Sequence, residues 1–260
     1  MNKTQRLGAV LDLLGERNQI EVSDIVERLG VSYATARRDL DLLAEQQLLT
    51  RTRGGAASRS VAYDLPLRYK QGHHAAEKQR IARVASSLVP LGAVVGLCGG
   101  TTCTTVAETL AARPDLMEPS TEPTLTLVTN AINIAAQLAM RPQIKTVVTG
   151  GVLHPRSYEL AGPYSDIVLG QITLDIAFIG VNGIDPAVGP TVHDEGEASI
   201  NALIARRAQR AVIVADSSKI GRRAFATLGK ATFDTLITDD GIAEDQKAAF
   251  ADCGIDVIVA

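Results

Sequence analysis

The chain has 260 residues, 46% of them hydrophobic, and a formal net charge of -3, which suits one large or two medium globular domains and excludes a generic polyanion-coating protein. Aromatic residues amount to 3%, with no tryptophan, so the core falls to Leu, Val, Ile and Ala, and a stacking platform for single-stranded nucleic acid is excluded. Cys98, Cys103 and Cys253 are odd in number without a CxxC spacing, and Asp12 and Glu16 interrupt the N-terminal apolar residues; neither a disulfide framework, a zinc site nor a membrane span is implied, and the expected location is the cytoplasm.

In chain order, Arg6 to Arg17 reads as a helix with Leu7, Val10, Leu11 and Leu14 on its buried stripe. Val22 to Leu29 reads as a second, two-turn helix, with Ser23 as its candidate cap. Gly30-Val31-Ser32 then makes a turn and a helix start, with Ser32 as N-cap. In the helix begun by Ser32, Ala36, Leu40 and Leu43 share one face, while Tyr33, Thr35, Arg37 and Arg38 point elsewhere. Helix, glycine turn, second helix is the helix-turn-helix arrangement, whose second helix presents its early residues to base edges in the major groove. Leu48 to Thr50 and Arg51 to Ala56 read as a strand, a turn and a return, a wing whose Arg51 and Arg53 could reach phosphates or the minor groove. Residues 1 to 60 carry nine Lys/Arg against eight Asp/Glu and the remainder seventeen against twenty-one. The argument for nucleic acid is therefore local: Arg37, Arg38, Arg51, Arg53 and Arg59 cluster at the proposed reading surface.

The string V-S-x-x-T-x-R-R-D-L at Val31 to Leu40, followed by R-x-x-G-G-A ending at Ala56, resembles the DNA-binding domain of the DeoR family of bacterial transcriptional regulators. Gln47 stands where the resemblance leads one to expect glycine; if it takes a positive φ there, the strain is about 1 kcal/mol, which a packed domain can carry.

From Ser58 to Ala76 no period is sustained, and the stretch reads as a linker, helical around Leu67 to Tyr69. His73 and His74 read as exposed linker residues rather than metal ligands, since no carboxylate or cysteine stands at ligand spacing. From Glu77, a helix to Leu88 precedes short apolar runs at Val94 to Leu97, Leu125 to Val128, Thr146 to Val148, Ile176 to Ile179, Val212 to Val214, Leu236 to Ile237 and Val257 to Val259. Helical patterns lie between most of them, at Thr105 to Ala112, Ile132 to Ala139, Ala198 to Ala208 and Glu244 to Ala251. The alternation predicts a mostly parallel α/β sheet with its ligand site at the carboxyl ends of the strands.

The residues just past these strands are small or polar. Cys98-Gly99-Gly100-Thr101-Thr102-Cys103-Thr104 leads into a helix, and its glycines, threonines and helix N-terminus suit an anion or phosphate. It is neither a Walker loop nor a dinucleotide fingerprint, so no cofactor is expected. Thr129-Asn130, Gly150-Gly151, Gly180 to Gly183 and Asp216 to Lys219 lie past other strands, and together they suit a polyhydroxylated anion with Lys219 as its charge partner. Asp175 and Glu197 are further effector-binding candidates, although each also suits a cap or a surface acid.

E-K-x-x-I-A at Glu77 to Ala82, G-T-T at Gly100 to Thr102, V-T-N at Val128 to Asn130, Gly150-Gly151, Gly162-Pro163, D-x-A-F-I-G at Asp175 to Gly180 and D-S-S-K at Asp216 to Lys219 resemble the sugar-phosphate sensor domain of the same family. That domain is similar to ribose-phosphate isomerases and glucosamine-phosphate deaminases, which implies a sugar-phosphate ligand. The resemblance leads one to expect aspartate and serine before G-T-T, where this chain has Cys98 and Gly99. Arg113 to Pro123 reads as an inserted loop.

The resulting expectation is a winged helix-turn-helix DNA-binding domain at 1–57, a linker at 58–76 and a sugar-phosphate sensor domain at 77–260. A homo-oligomer, dimer or tetramer, would bind double-stranded operator DNA as a repressor of carbohydrate-metabolism genes, modulated by a phosphorylated sugar. The rival is a sugar-phosphate isomerase or deaminase with an appended DNA-binding domain, for which Asp175, Glu197 and Lys219 could supply acid, base and electrostatic roles. The missing carboxylate at position 98 weighs against it.

Overall fold

The computed structural model describes residues 1–17, 19–57, 67–70, 72–118, 120–229 and 233–260; Arg59, in the proposed reading cluster, and most of the expected linker lie outside them. The chain divides into two compact units, Met1–His73 and His74–Ala260.

In the first unit, α1 (Lys3–Arg17), α2 (Val22–Leu29) and α3 (Tyr33–Glu45) pack beside a small antiparallel sheet of β1 (Gln19–Glu21), β2 (Thr50–Thr52) and β3 (Gly55–Ala57), with β3 in the centre. The stripes expected from helical spacing close on one another: Val10, Leu11, Leu14, Ile25, Ala36, Leu40 and Leu43 are fully buried. Strand β1 escapes a periodicity reading because it has one inward residue, Ile20. Gly55 admits it, since a Cβ there would lie 2.0 Å from the Ile20 carbonyl oxygen. Ser23 does not cap α2. The residue before the helix is Glu21, whose N–H donates to the Asp24 carboxylate (2.8 Å), while the Ser23 hydroxyl reaches the Glu21 carboxylate. Gln47 has φ 58, so the strain that a glycine would avoid is carried there. Of the expected linker, the described residues up to His73 belong to this unit, and His74 to Ala76 belong to the second, where Ala75 already starts a helix. Helix α4 (Leu67–Lys70) brings Tyr69 into the core, with its hydroxyl donating to Gln46 Oε1 (2.6 Å), and His73 Nε2 lies 2.7 Å from Asp12 Oδ2 instead of standing free in solvent.

In the second unit, the described residues build a seven-stranded parallel sheet from β4 (Val94–Leu97), β5 (Leu125–Thr129), β6 (Ile144–Val148), β9 (Leu174–Gly180), β12 (Ala208–Val214), β14 (Thr235–Thr238) and β15 (Asp256–Val259). Every apolar run found in the sequence is one of these strands. Helices α5 (Ala75–Ser87), α6 (Thr101–Ala111), α7 (Ile132–Leu138), α8 (Pro163–Gly170), α9 (Glu195–Arg207) and α10 (Glu244–Asp252) complete the unit, and the central runs Ile176 to Ile179 and Val212 to Val214 are buried, as strands covered on both faces must be. The order is β15-β14-β12-β9-β4-β5-β6. The chain therefore winds outward from β4 to β6 and returns to the other side of β4 at β9, so the topological switch lies between β4 and β9, where open sheets of this kind form their crevice.

Short pieces with no sequence signature decorate the sheet: the pair β7 (Val152–Leu153) and β8 (Leu160–Ala161), and a small antiparallel sheet of β10 (Gly183–Asp185), β11 (Gly189–Val192) and β13 (Ala226–Thr227). The expected insertion after Arg113 is anchored. Arg113 donates to the carbonyls of Ser86 (2.7 Å) and Val89 (2.6 Å), and Leu116 is fully buried. Among the described residues no helix is long and apolar enough to cross a membrane.

Candidate functional site

Each unit carries one candidate surface. On the first, Ser32 starts α3 by accepting the Thr35 N–H (3.2 Å), and its hydroxyl lies 2.9 Å from Thr35 Oγ1. Both hydroxyls are thus engaged in setting the helix start. Tyr33, Arg37 and Arg38 are exposed on the first turns, and Thr35 and Arg38 line an open groove with Lys3. The opposite face holds the helix in place. Asp39, buried at 3% exposure, receives Arg6 through Nε (2.5 Å) and Nη2 (3.1 Å), and that pairing, ahead of the opposing effect of burial, raises the Arg6 pKa above its usual value. Two of the three acids of α3 are therefore spoken for: Asp39 by Arg6, and Asp41 by Arg51 at 3.0 Å. Arg51 is not a free phosphate ligand. Its guanidinium also donates to the Gly55 carbonyl (2.6 Å), bracing the wing, whereas Arg53 is exposed in the turn between β2 and β3.

On the second unit, the switch point brings together the turn before α6 and the ends of β5, β9 and β12. Gly100, at φ 93 and ψ 161, precedes the first turn of α6 and leaves the N–H groups of that turn outside the helix ladder. Gly99 and Gly100 lead into the first turn of α6, which begins at Thr101 and Thr102. Thr104 serves the helix instead: its hydroxyl donates to the Gly100 carbonyl (2.8 Å) and accepts from Asn133 (3.0 Å). Thr129 likewise serves the backbone, accepting the Ala131 N–H (3.0 Å). Gly150 and Gly151 sit beside α8, with the Ser165 hydroxyl donating to the Gly150 carbonyl (2.6 Å).

The Asp216 to Lys219 motif is a single helical turn built by carboxylates. Asp216 accepts the Ser218 N–H (3.2 Å) and hydroxyl, and Asp239, from the end of β14, accepts the Ser217 N–H (2.6 Å) and hydroxyl (2.8 Å). Burial works to raise the Asp239 pKa, but the Ser217 and Gly241 N–H bonds outweigh it and hold the group below its usual value. The turn ends on Lys219. Asp175 is misplaced by the sequence reading. It lies at the amino end of β9 and accepts the Val94 N–H (2.7 Å), at the start of β4, so the length of the strands separates it from the crevice.

The crevice also holds a buried polar cluster of which the sequence reading named Asn130 and Glu197 and missed Glu159, His154 and Asn201. Glu159 and Glu197 are 4% and 5% exposed. Glu159 Oε2 accepts from Asn130 Nδ2 (3.0 Å), and Asn130 Nδ2 lies 3.4 Å from Asn201 Oδ1. Glu197 Oε1 lies 2.9 Å from His154 Nδ1. Burial, then the Glu197 carboxylate, push the Glu159 pKa up to about 8, against the opposing bonds from Asn130, Asn201 and the Gly99 N–H. Beside it, Cys98 Sγ is 3.7 Å from Cys103 Sγ, and this contact together with burial holds the Cys98 thiol protonated. Position 98 thus contributes a neutral, apolar group where the family resemblance led one to expect a carboxylate.

The chain matches the family model of the DeoR-like helix-turn-helix domain over residues 6–61 and that of the DeoR C terminal sensor domain over residues 73–240. It is 34% identical over 243 residues to the HTH-type transcriptional repressor GlcR of Bacillus subtilis, covering 92% of this chain and 89% of that one. It is 30% identical over 240 residues to the glycerol-3-phosphate regulon repressor of Escherichia coli, covering 92% of each. Among solved structures, ribose 5-phosphate isomerase A of Methanocaldococcus jannaschii aligns with 56% of this chain and 55% of that one, at 22% identity and a TM-score of 0.42. With both halves matched in order and most of the chain covered, the protein belongs to the DeoR family of helix-turn-helix transcriptional regulators.

Proposed function

We propose that the protein is a sequence-specific transcriptional repressor of carbohydrate-metabolism genes, acting in the cytoplasm as a homo-oligomer whose grip on a double-stranded operator is set by a phosphorylated sugar. The observation that carries the DNA half is the division of labour on α3: Asp39 is buried against Arg6, while Tyr33, Arg37 and Arg38 face outward from the first turns. The relatives named as repressors support the same reading. The effector half rests on the first turn of α6 at the β4/β9 switch point, with Lys219 ending a neighbouring strand-end turn. A ligand there shifts operator affinity only by binding one state better than the other, and typical couplings are about 1 to 3 kcal/mol.

The test is binding of the full chain to DNA from around its own gene at about 0.15 M salt, with and without a panel of phosphorylated sugars, because phosphate contacts are salt-dependent. Specific binding that a phosphosugar alters is the expected result; no specific binding with any ligand refutes it. Among the described residues, the buried pair Glu159 and Glu197 is the feature that favours turnover, because unlike environments for two carboxyls suit acid and base roles. Isomerase and deaminase assays on the same panel are expected to show none.

A further inference from the structure

Apolar exposure on the second unit gathers on one set of neighbouring elements. Ile132 opens α7, Val148 ends β6, Val152 and Leu153 make up β7, and Tyr164 and Ile167 lie on α8; their exposures run from 36% to 67%. Hydrogen bonds tie these elements together. The Ser165 hydroxyl of α8 donates to the carbonyl of Gly150, between β6 and β7 (2.6 Å). Strand β7 pairs with β8, Val152 opposite Ala161 and Leu153 opposite Leu160, and the Ile132 N–H donates to the Tyr158 carbonyl ahead of β8 (3.0 Å). On α8 the inward residues are Ser165 and Leu169, so Tyr164 and Ile167, three apart, share the outward side.

The sheet leaves the same border open. Among the described residues β6 is its last strand, and an end strand carries a row of N–H and C=O groups that face no neighbour. Lys145 is exposed near the amino end of β6, where a lysine guards against indiscriminate pairing; the exposed apolar side chains begin past it, at Val148. A fully exposed side chain of this size offers roughly 150 to 250 Å², so the six together expose on the order of 500 to 800 Å². The largest apolar patch on a typical monomer is about 300 to 600 Å². A standard interface buries about 800 Å² per partner, somewhat over half of it apolar, and the patch is enough to supply that part.

We propose that this surface, centred on β7 with the carboxyl end of β6 and the outward side of α8, seats the same surface of a second copy of the chain across a two-fold axis. The inference rests on the homo-oligomer reading above and names its contact. A two-fold contact needs one self-complementary patch rather than two different ones, and a palindromic operator is read by two copies related in that way. The place also joins the contact to the crevice. The connection from β7 to β8 carries Val152 and Leu153 at the surface and Glu159 in the buried cluster, so a ligand that moves this connection changes the contact between copies.

The experiment is sedimentation velocity of the full chain from about 0.1 to 50 μM, the weak end of what an interface of this size supports. The unsubstituted chain is expected to be a dimer or larger. Val152→Asp on β7 and Ile167→Asp on α8, with folds checked by circular dichroism, are each expected to raise the dissociation constant about tenfold or more. Leu91→Asp, at a position 59% exposed just before β4 and at the amino ends of the strands, is expected to leave it unchanged. Amide exchange needs no variant: in the unsubstituted chain, β6 and β7 should exchange more slowly as concentration rises. An oligomer that both folded variants keep, a loss shared by Leu91→Asp, or exchange in β6 and β7 that ignores dissociation overturns this contact while leaving the homo-oligomer reading standing. A chain that is monomeric across the whole range overturns both, and protection of β7 in that monomer assigns the patch to another part of the same chain.

Discussion

Asp39→Ala in α3 is expected to be among the most damaging single changes in the first unit, although the residue touches no DNA in the proposed reading. The carboxylate is 3% exposed and takes both Nε and Nη2 of Arg6. Removing it leaves a guanidinium, itself 19% exposed, with a poorly hydrated charge between two helices. Breaking a fully buried pair costs about 3 to 5 kcal/mol, and partial hydration of Arg6 lowers this to about 2 to 4 kcal/mol. For a unit of this size that is roughly 10 to 25 °C in melting temperature. Amide exchange at Leu40 and Leu43, fully buried in the same helix, reads the loss without assuming that both units unfold together: a loss of about 3 kcal/mol lowers protection by roughly two orders of magnitude. Replacing both partners, Arg6→Met with Asp39→Leu, removes the stranded charge and is expected to recover most of the stability. If the double variant is as weak as Asp39→Ala, or if Asp39→Ala loses less than about 1 kcal/mol, the pair does not hold the helix as argued.

Arg38→Ala is expected to weaken specific operator binding by about 1 to 3 kcal/mol if Arg38 reads a base, measured as the ratio of specific to non-specific affinity at fixed salt. Lys219→Ala should keep operator affinity and blunt the phosphosugar response; loss of operator binding with the fold intact would mean the two surfaces are not separable. Gly99→Ser restores the residue the family resemblance expects, yet its Cβ meets the packed Glu159 side chain at 2.4 Å, so a stability loss of about 1 to 3 kcal/mol is expected, relieved when Glu159→Ala is added. The raised pKa of Glu159, about 8 against an ordinary 4.5, fixes a pH dependence. Above pH 4.5 the unfolded chain gives up this proton while the folded chain keeps it, so this contribution to stability falls with rising pH until about pH 8, by at most about 1.4 kcal/mol per pH unit. Glu159→Gln lacks that slope, and urea unfolding of both proteins at several pH values in this window should show the wild type losing ground; parallel curves would refute the assignment.

The sheet was legible because each of its strands carries an apolar run, and most of the helices between them keep a 3.6-residue period; α8 was not read, and β7, β8 and β13, of two residues each, carry no pattern to find. The winged helix was legible for a similar reason: Ala36, Leu40 and Leu43 are spaced to share a face whatever they pack against. What the sequence hid is partnership. Nothing near Arg51 says that its guanidinium would be taken by Asp41 and the Gly55 carbonyl, and nothing near Asp175 says that it would face the amino end of β4. Glu159 is the sharpest case, because its neighbours Ser157 and Tyr158 have no period and its burial depends on a glycine sixty residues earlier.

That dependence changes how Cys98 and Gly99 are to be weighed. Taken alone, the loss of a carboxylate at 98 reads as a weakened ligand site. In space, Gly99 clears the volume into which another carboxyl comes, and the thiol at 98 fills its own place without adding a second charge beside it. A carboxylate at 98 would stand beside Glu159, whose pKa burial and Glu197 already raise, and would add a further acid to a poorly hydrated pocket. Cys98→Asp is therefore expected to lower stability at neutral pH, and to do so less when Glu159→Gln is also present. A Cys98→Asp variant that melts with the wild type at about pH 7.5 would show that the acid at 98 and the acid at 159 do not compete for one pocket.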